Sequence, residues 1–487
     1  MTFAIKTAKS RPDLSVTIMT KSNAEASNTQ YAQGGIAAVM GGLGDSFEAH
    51  IADTLASGGA ECEEEIVRMV VCQAPERLRE LIELGVEFDR AGSQFDLALE
   101  GGHSRRRILH RSDMTGSEIE TNLLKKVRAM DNISLLENHF VIDLMADSEG
   151  GTEKCSGAFF FDDTGRVRYV RSRITVLSTG GSGQIFRHTT NPEVATGDGV
   201  AMAGRLGARI QDMDYVQFHP TAMYEPDQNP CFLLSEALRG FGAHVINADG
   251  RRFLFRYDLR GELATRDIVS NAIIEEMAIS GTDCVFLDCR HIEPVLFQRH
   301  FKSIHASCQS RGFDPAFDVI PVVPVAHYQC GGIKVDKFGQ TSVANLFAIG
   351  ECARTGFHGR NRLASNSLLE AVVFAHNASE RVCSMIDSVL PSARVYVNIR
   401  GMRAHNDENP EVVQITNEIR EVTTTFRLDN LHEPAIYRLR ELRERAMAIY
   451  GSDICRKVIE AINMAEVALL MIKESKERKS ITQKQIK

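Results

Sequence analysis

Two apolar runs that end in glycine constrain this chain more than any other feature: RITVLSTGGSG at Arg173–Gly183 and NLFAIGE at Asn345–Glu351. Runs of this kind read as buried strands rather than half-wetted ones, and glycine at a strand end lets another group approach the backbone closely. The start of the chain supports the same architecture. Thr2–Ser10 reads as helical, and Arg11, Pro12 and Asp13 turn it into a short apolar strand over Leu14–Thr20. Helix then strand is the second half of a βαβ unit, of which the first strand and its glycine-rich turn are absent before Thr2.

After a loop that runs into small residues (Ser27–Val39), helical patterns cover Glu63–Gly85 and Glu118–Met130. The β-rich runs Ile133–Leu144, Cys155–Phe161 and Arg166–Leu177 suggest a meander that leads back to a parallel strand. From about Tyr215 to Pro324 mixed short elements carry interleaved Arg and His, which reads as an insertion. The expectation is an α/β chain with a Rossmann-like nucleotide-binding domain in two parts, 1–214 and 325–395, and an inserted α+β capping domain at 215–324. Residues 396–487 read as a charged, helical domain, with two amphipathic helices of a terminal bundle in RLRELRERAMAIY and KVIEAINMAEVALLMIK, and the tail after Glu474 is expected to fray.

At 487 residues the chain supports several domains, and its net charge of -8 with no basic run argues against a nucleic-acid partner. An anionic ligand must then be attracted by local cations. Eleven Cys without a CxxC pair suggest neither a zinc site nor a disulfide framework, and fit a reducing cytoplasm. No apolar run reaches the length of a membrane span and no secretion signal is evident, so a cytoplasmic location without a membrane is expected.

The glycine-bearing strand ends at Gly34 and Gly35, at Gly180–Gly183 and at Gly350 with Glu351 together match, in order, a flavoprotein. In RLASNSLLEAVVFA (Arg362–Ala375), Ser365, Asn366 and Ser367 are good N-cap residues, and a helix starting there would aim its positive end at a reduced flavin. The plainer reading is that they cap a core helix. In the inserted region QFHPT, FLLSEALRGFGA, LATRDIVSNAI and VAHYQCGGI place His, Arg or hydroxyl groups beside apolar stretches. His219, Ser235, His327 and Arg362 supply the donors that two carboxylates require. Arg266 has no evident carboxylate beyond Asp267, and a surface salt bridge is its plainer reading. Glu100, in LEGGHSRRRILH, is either a solvated loop acid or the partner of a substrate ammonium.

SNTQYAQGGIAAV, EGGHSRRRILH, FHPTAMY, RDIV, HYQCGG and HGRNRLASNSLLEA in this order resemble the fumarate reductase and succinate dehydrogenase flavoprotein superfamily, most closely its L-aspartate oxidase family, over about Thr2–Ala375. The resemblance implies non-covalent FAD, L-aspartate oxidised to iminoaspartate, and oxygen or fumarate as acceptor. It also implies the first step of quinolinate and NAD biosynthesis, with quinolinate synthase as a transient partner. Asn28 stands where the respiratory relatives carry a flavin-linking His, so no covalent bond is expected, and Glu100 is the family's contact to the substrate amino group. The implied FAD contacts are Lys21, Asn28, Thr29, Gln30, Tyr31, Ala32, Gln33, Gly34, Gly35, Asp198, Glu351, Ser367 and Leu368. The implied substrate contacts are Glu100, His219, Ser235, His327 and Arg362, and Arg266 matches the proton donor and acceptor. The missing phosphate-binding turn predicts weakened FAD binding for the chain as it stands. ESKER near the C-terminus stands where the family has ESRG, so a contact from the bundle to the site is not assumed. A soluble fumarate reductase or succinate dehydrogenase flavoprotein, and a catalytically silent homologue lacking FAD, remain the alternatives.

Overall fold

A computed structural model describes residues 1–41, 44–149, 152–226, 228–390, 409–452 and 454–485. Helix α1 (Thr2–Ser10) buries Ala4, Ile5, Thr7 and Ala8, and Arg11 caps its end by donating its N–H to the carbonyl of Thr7. The turn that follows delivers strand β1 (Val16–Met19). Three helices lie on the way to its partner: α2 (Phe47–Gly58), absent from the sequence reading and capped by Ser46 Oγ, then α3 (Glu64–Glu83) and α4 (Thr115–Arg128). Strand β2 (Ile133–Leu136) pairs in parallel with β1.

The expected strand Ile133–Leu144 is broken. Asn138 takes a left-handed φ of 58°, which asparagine tolerates, and the N–H groups of Asn138 and His139 return to the carbonyls of Ser22 and Thr20. The chain then enters a separate antiparallel meander of β3 (Phe140–Glu149), β4 (Thr152–Phe161) and β5 (Val167–Arg171). From there β6 (Thr175–Leu177), the first glycine-ended run, leads through the glycine cluster to helix α5 (Asp198–Arg205).

The intervening region builds an antiparallel sheet of four strands: β7 (Val216–Met223), β8 (His244–Ile246), β9 (Val285–Asp288) and β10 (Ile320–Gln329), in the order β7-β10-β9-β8. Helices α6 (Glu236–Gly240), α7 (Arg266–Ser280), α8 (Pro294–His300) and α9 (Lys302–Ser310) surround it. Met223, Leu234, Val245, Ile273, Leu287 and Val322 belong to a hydrophobic core of its own. Strand β11 (Leu346–Ala348), the second glycine-ended run, then pairs in parallel with β6, with Leu177 opposite Ala348. Both runs therefore finish at the same edge, followed by helix α10 (Asn366–Met385).

Among the described residues the terminal bundle has three helices, one more than the two named runs: α11 (Pro410–Asp429), α12 (His432–Ser452) and α13 (Arg456–Gln485). The additional one starts as Asn409 and Pro410 predict, with Asn409 Oδ1 accepting from the N–H groups of Glu411 and Val412. In place of the expected fraying after Glu474, α13 continues to Gln485 among the described residues, and Glu474 and Arg478 dock. Glu474 accepts from the Met213 N–H at 2.5 Å, and Arg478 pairs with Asp212 at 3.0 Å and Asp214 at 2.9 Å. Among the described residues no helix is long and apolar enough to cross a membrane.

Candidate functional site

Paired strands β7 and β10 bring His219 and His327 together, with ring centroids 5.0 Å apart. Their register slips between His219 and Ala222, where Pro220 has no N–H to give to the ladder. The His219 ring is buried; its Nδ1 accepts from the Thr221 N–H at 3.3 Å, which leaves the proton on Nε2, and Nε2 has no partner among the described residues. Thr190 Oγ1 lies 2.7 Å from His327 Nδ1. Burial, joined by the positive field of Arg266, drives both imidazoles well below their ordinary pKa, so they meet a ligand as neutral rings.

Arg362, 6% exposed, lies over the ring of Tyr328 at 4.0 Å from its centroid. Its donors reach Gln217 Oε1, at 3.4 and 3.3 Å, and the Ser367 hydroxyl. Among the described residues its side-chain hydrogen bonds include no carboxylate. Burial and then the neighbouring Arg266 lower its pKa. Gln217 Oε1 also accepts from Arg266 Nη1 at 3.0 Å, so one amide oxygen holds both guanidinium groups. Gln217 is in turn fixed by giving its NH2 group to Asn361 Oδ1 and the Arg362 carbonyl, each at 2.7 Å.

Arg266, the first residue of α7, is buried, and its carboxylate partner is Glu236 at 2.5 Å rather than Asp267, which accepts from Asn361 instead. Glu236 continues to Arg239 at 3.0 Å, and Arg239 donates to the Glu262 carbonyl at 2.6 Å. Burial opposes the charge on Glu236, but Arg266 and Arg239 outweigh it and hold its pKa below the ordinary value. The surface-bridge reading of Arg266 is thus overturned. Gln217, Glu236 and Arg239 received no role from the sequence, although an acid and an arginine three residues apart inside apolar FLLSEALRGFGA were the available signal.

Ser235 forms the N-cap of α6 and accepts from the Ala237 N–H at 3.2 Å. Glu100 is buried, not a solvated loop acid, and accepts from the Ser365 hydroxyl at 2.6 Å. Burial, and next the charge of Glu236, raises its pKa. Ser365 occupies the N-cap position of α10 without capping it, so the expected cap is missing and the first amides of the helix, Ser367 among them, have no side-chain cap.

At the common edge of β6 and β11, Gly180 and Gly350 both adopt positive φ, and a Cβ on Gly181 would meet Glu351 Oε1 at 2.2 Å. Glu351 accepts from Asn28 at 2.8 Å and from the Gln329 N–H at 3.0 Å, while burial pushes its carboxyl up to about 7. On the loop from Asn28 to Gly35, the buried side-chain oxygens of Asn28, Gln30 and Gln33 have no partner among the described residues. Tyr31 is mostly exposed, whereas Thr29 and Ala32 exchange a backbone hydrogen bond. Unsatisfied acceptors beside a glycine-lined strand end fit a ligand that brings hydroxyl and ring N–H donors, as the ribityl and ring parts of a flavin do. Leu368 follows in the first turn of α10.

Lys21 and Asp198 sit apart from this loop's hydrogen bonds. The Lys21 ammonium donates to Thr196, Asp198 and Glu460, each at 2.7 Å, and Asp198 also accepts from Asn463 of α13 at 2.8 Å.

Residues 1–368 match the family model described as an FAD binding domain. L-aspartate oxidase 1 of Ralstonia nicotianae is 40% identical over 468 residues, 94% of this chain and 87% of that protein. L-aspartate oxidase of Pseudomonas aeruginosa is 39% identical, over 96% of this chain and 89% of the relative. Among solved structures, E. coli quinol fumarate reductase FrdA superposes with a TM-score of 0.85 at 28% identity, covering 97% of this chain and 86% of that one.

Proposed function

Because this chain belongs to the L-aspartate oxidase family of FAD-binding flavoproteins, we propose that it oxidises L-aspartate to iminoaspartate, the entry step to NAD, with fumarate or oxygen receiving the electrons. The observation that carries this reading is Arg362: a buried guanidinium whose donors, among the described residues, meet only neutral groups, Gln217 and Ser367. A buried cation left uncompensated costs several kcal/mol, on the order of 3–5. A substrate carboxylate supplies the missing charge and accepts bidentately.

His219 Nε2–H, a donor with no partner, and His327 then bind carboxylate oxygens, and Ser235 adds a hydroxyl. Glu100 takes the ammonium group that distinguishes aspartate from a plain dicarboxylate. When bound, FAD supplies the acceptor for the hydride that leaves the aspartate α-carbon. As that C–H bond and one N–H bond of the ammonium break, C=N forms; Glu100, with its pKa raised by burial, is the site's base for the released proton. In the fumarate direction Arg266 gives a proton to the carbon that does not receive hydride. An arginine, with a pKa above about 12, acts in this way only where its charge loss is supported. The line Arg266, Glu236 and Arg239 provides that support, since Glu236 hydrogen-bonds Arg266 and lies at ion-pair distance from Arg239. The unstable imine requires a consuming enzyme close by, and quinolinate synthase fits that place.

Anaerobic addition of L-aspartate to the FAD-loaded protein is expected to bleach the flavin absorbance, and succinate is not; the absence of bleaching with L-aspartate would sink the reading. With fumarate as the electron acceptor, Arg266→Leu should abolish turnover while aspartate still binds, as measured by ligand-induced change in the flavin spectrum. A variant that turned over normally would remove Arg266 from the proton route.

A further inference from the structure

Ser365 is a left-handed, non-glycine residue at a helix start, with φ 59° and ψ 8°. That conformation is strained for a residue with a Cβ. An N-cap serine ordinarily accepts from an amide of its own first turn. Here the side chain points the other way. Its Oγ accepts from the Gly35 N–H at 3.3 Å and donates to Glu100 Oε2 at 2.6 Å, and its carbonyl accepts from the Ala37 N–H at 3.0 Å. The direction of the hydroxyl proton is thereby set. Gly34 lets the carboxylate pack against the backbone, since a Cβ there would lie 3.1 Å from Glu100 Oε1 and 3.6 Å from Ser365 Oγ.

We propose that Ser365 is a positioning residue that fixes and ionises Glu100, and so makes the site select an amino-bearing dicarboxylate over a plain one. The proposal rests on Glu100 meeting the substrate ammonium, as in the function above. The groups that face Glu100 are Glu236 of α6, which disfavours its charge, and Arg266 of α7 and Arg362 before α10, which favour it. Burial is the largest influence and opposes ionisation, while the Ser365 hydrogen bond supports it. Without that bond Glu100 keeps its proton to higher pH and presents no anion to the ammonium. Fumarate carries no ammonium and makes no such demand.

The test compares Ser365→Ala, which keeps the strained backbone, with Ser365→Gly, which relieves it. Both are assayed as FAD-loaded full-length protein for L-aspartate oxidation and for fumarate reduction, over about pH 5 to 9. In both variants the ratio of kcat/KM for L-aspartate to that for fumarate should fall about tenfold at neutral pH, the scale of a hydrogen bond to a charged group. The acid limb of the aspartate profile should move to higher pH. An unchanged ratio, an equal loss on both substrates without movement of that limb, or an effect in Ser365→Ala that is absent in Ser365→Gly would each overturn the proposal. A parent protein inactive on L-aspartate would instead overturn the function on which it rests.

Discussion

Gln217 does at the scale of one atom what the site needs as a whole: its Oε1 accepts from Arg266 and Arg362 and keeps two cations together without neutralising either. Exchange of the amide for a carboxylate of the same size changes only charge. Gln217→Glu is therefore expected to pair internally with both arginines and raise the KM for L-aspartate about tenfold or more, as a charged competitor worth roughly 1.5–3 kcal/mol would. A steady-state KM equal to that of the parent would show that the arginines do not hold the substrate. Much of this site was legible in the sequence because His219, His327 and Arg362 bring chemistry into apolar surroundings, where a polar group calls for a partner. What sequence proximity could not convey is which carboxylate faces which cation. Asp267 adjoins Arg266 in the chain, yet the first turn of α7 directs it to Asn361, and the partner comes from α6, thirty residues away.

Helix α9 shows how an element of the inserted region is fastened to the rest. Its N-terminal amides are served from outside: Asp113 Oδ2 accepts from the Ser303 hydroxyl at 2.6 Å and from the Ile304 N–H at 2.9 Å. An acid on a helix N-terminus both satisfies an orphan donor and complements the dipole. Asp113→Ala should cost about 1 kcal/mol locally. Amide hydrogen exchange over 302–310 is expected to quicken about fivefold, the equivalent of that energy, and exchange in α10 should not follow. Unaltered protection of α9 would mean that the contact carries no stability. Long helices and the two glycine-ended strands were foreseen because length and hydrophobic pattern suffice for them. The break at Asn138 and helix α2 were not, and α11 was read only as part of a helical region without a start of its own, because each is decided by a single cap or turn residue: Asn138, Ser46 and Asn409. The inserted sheet follows the same logic in reverse, since its short strand β9 gains its pairing from β10, and β8 gains its own from β9.

Over the whole molecule, the terminal bundle and the nucleotide-binding part share one core: Val458, Ala461, Ala465 and Ala468 of α13 belong to the same buried cluster as Val200 of α5 and Leu346 of β11. Lys21 is the polar counterpart of that union, pairing Asp198 of one part with Glu460 of the other, both at 2.7 Å. Burial works against the Lys21 charge, but the two acids outweigh it and leave its pKa above the ordinary value. Lys21→Met should therefore leave two buried carboxylates facing one another and lower the unfolding free energy by about 3–5 kcal/mol, the cost of breaking a buried ion pair from one side. Because the chain has no Trp, urea unfolding is best followed by circular dichroism. Adding Glu460→Gln to Lys21→Met should restore part of the loss, since one of the two facing carboxylates is then gone, and the departure from additivity measures the coupling directly. Strict additivity, or a Lys21→Met variant as stable as the parent, would mean that α13 is held by its apolar face alone.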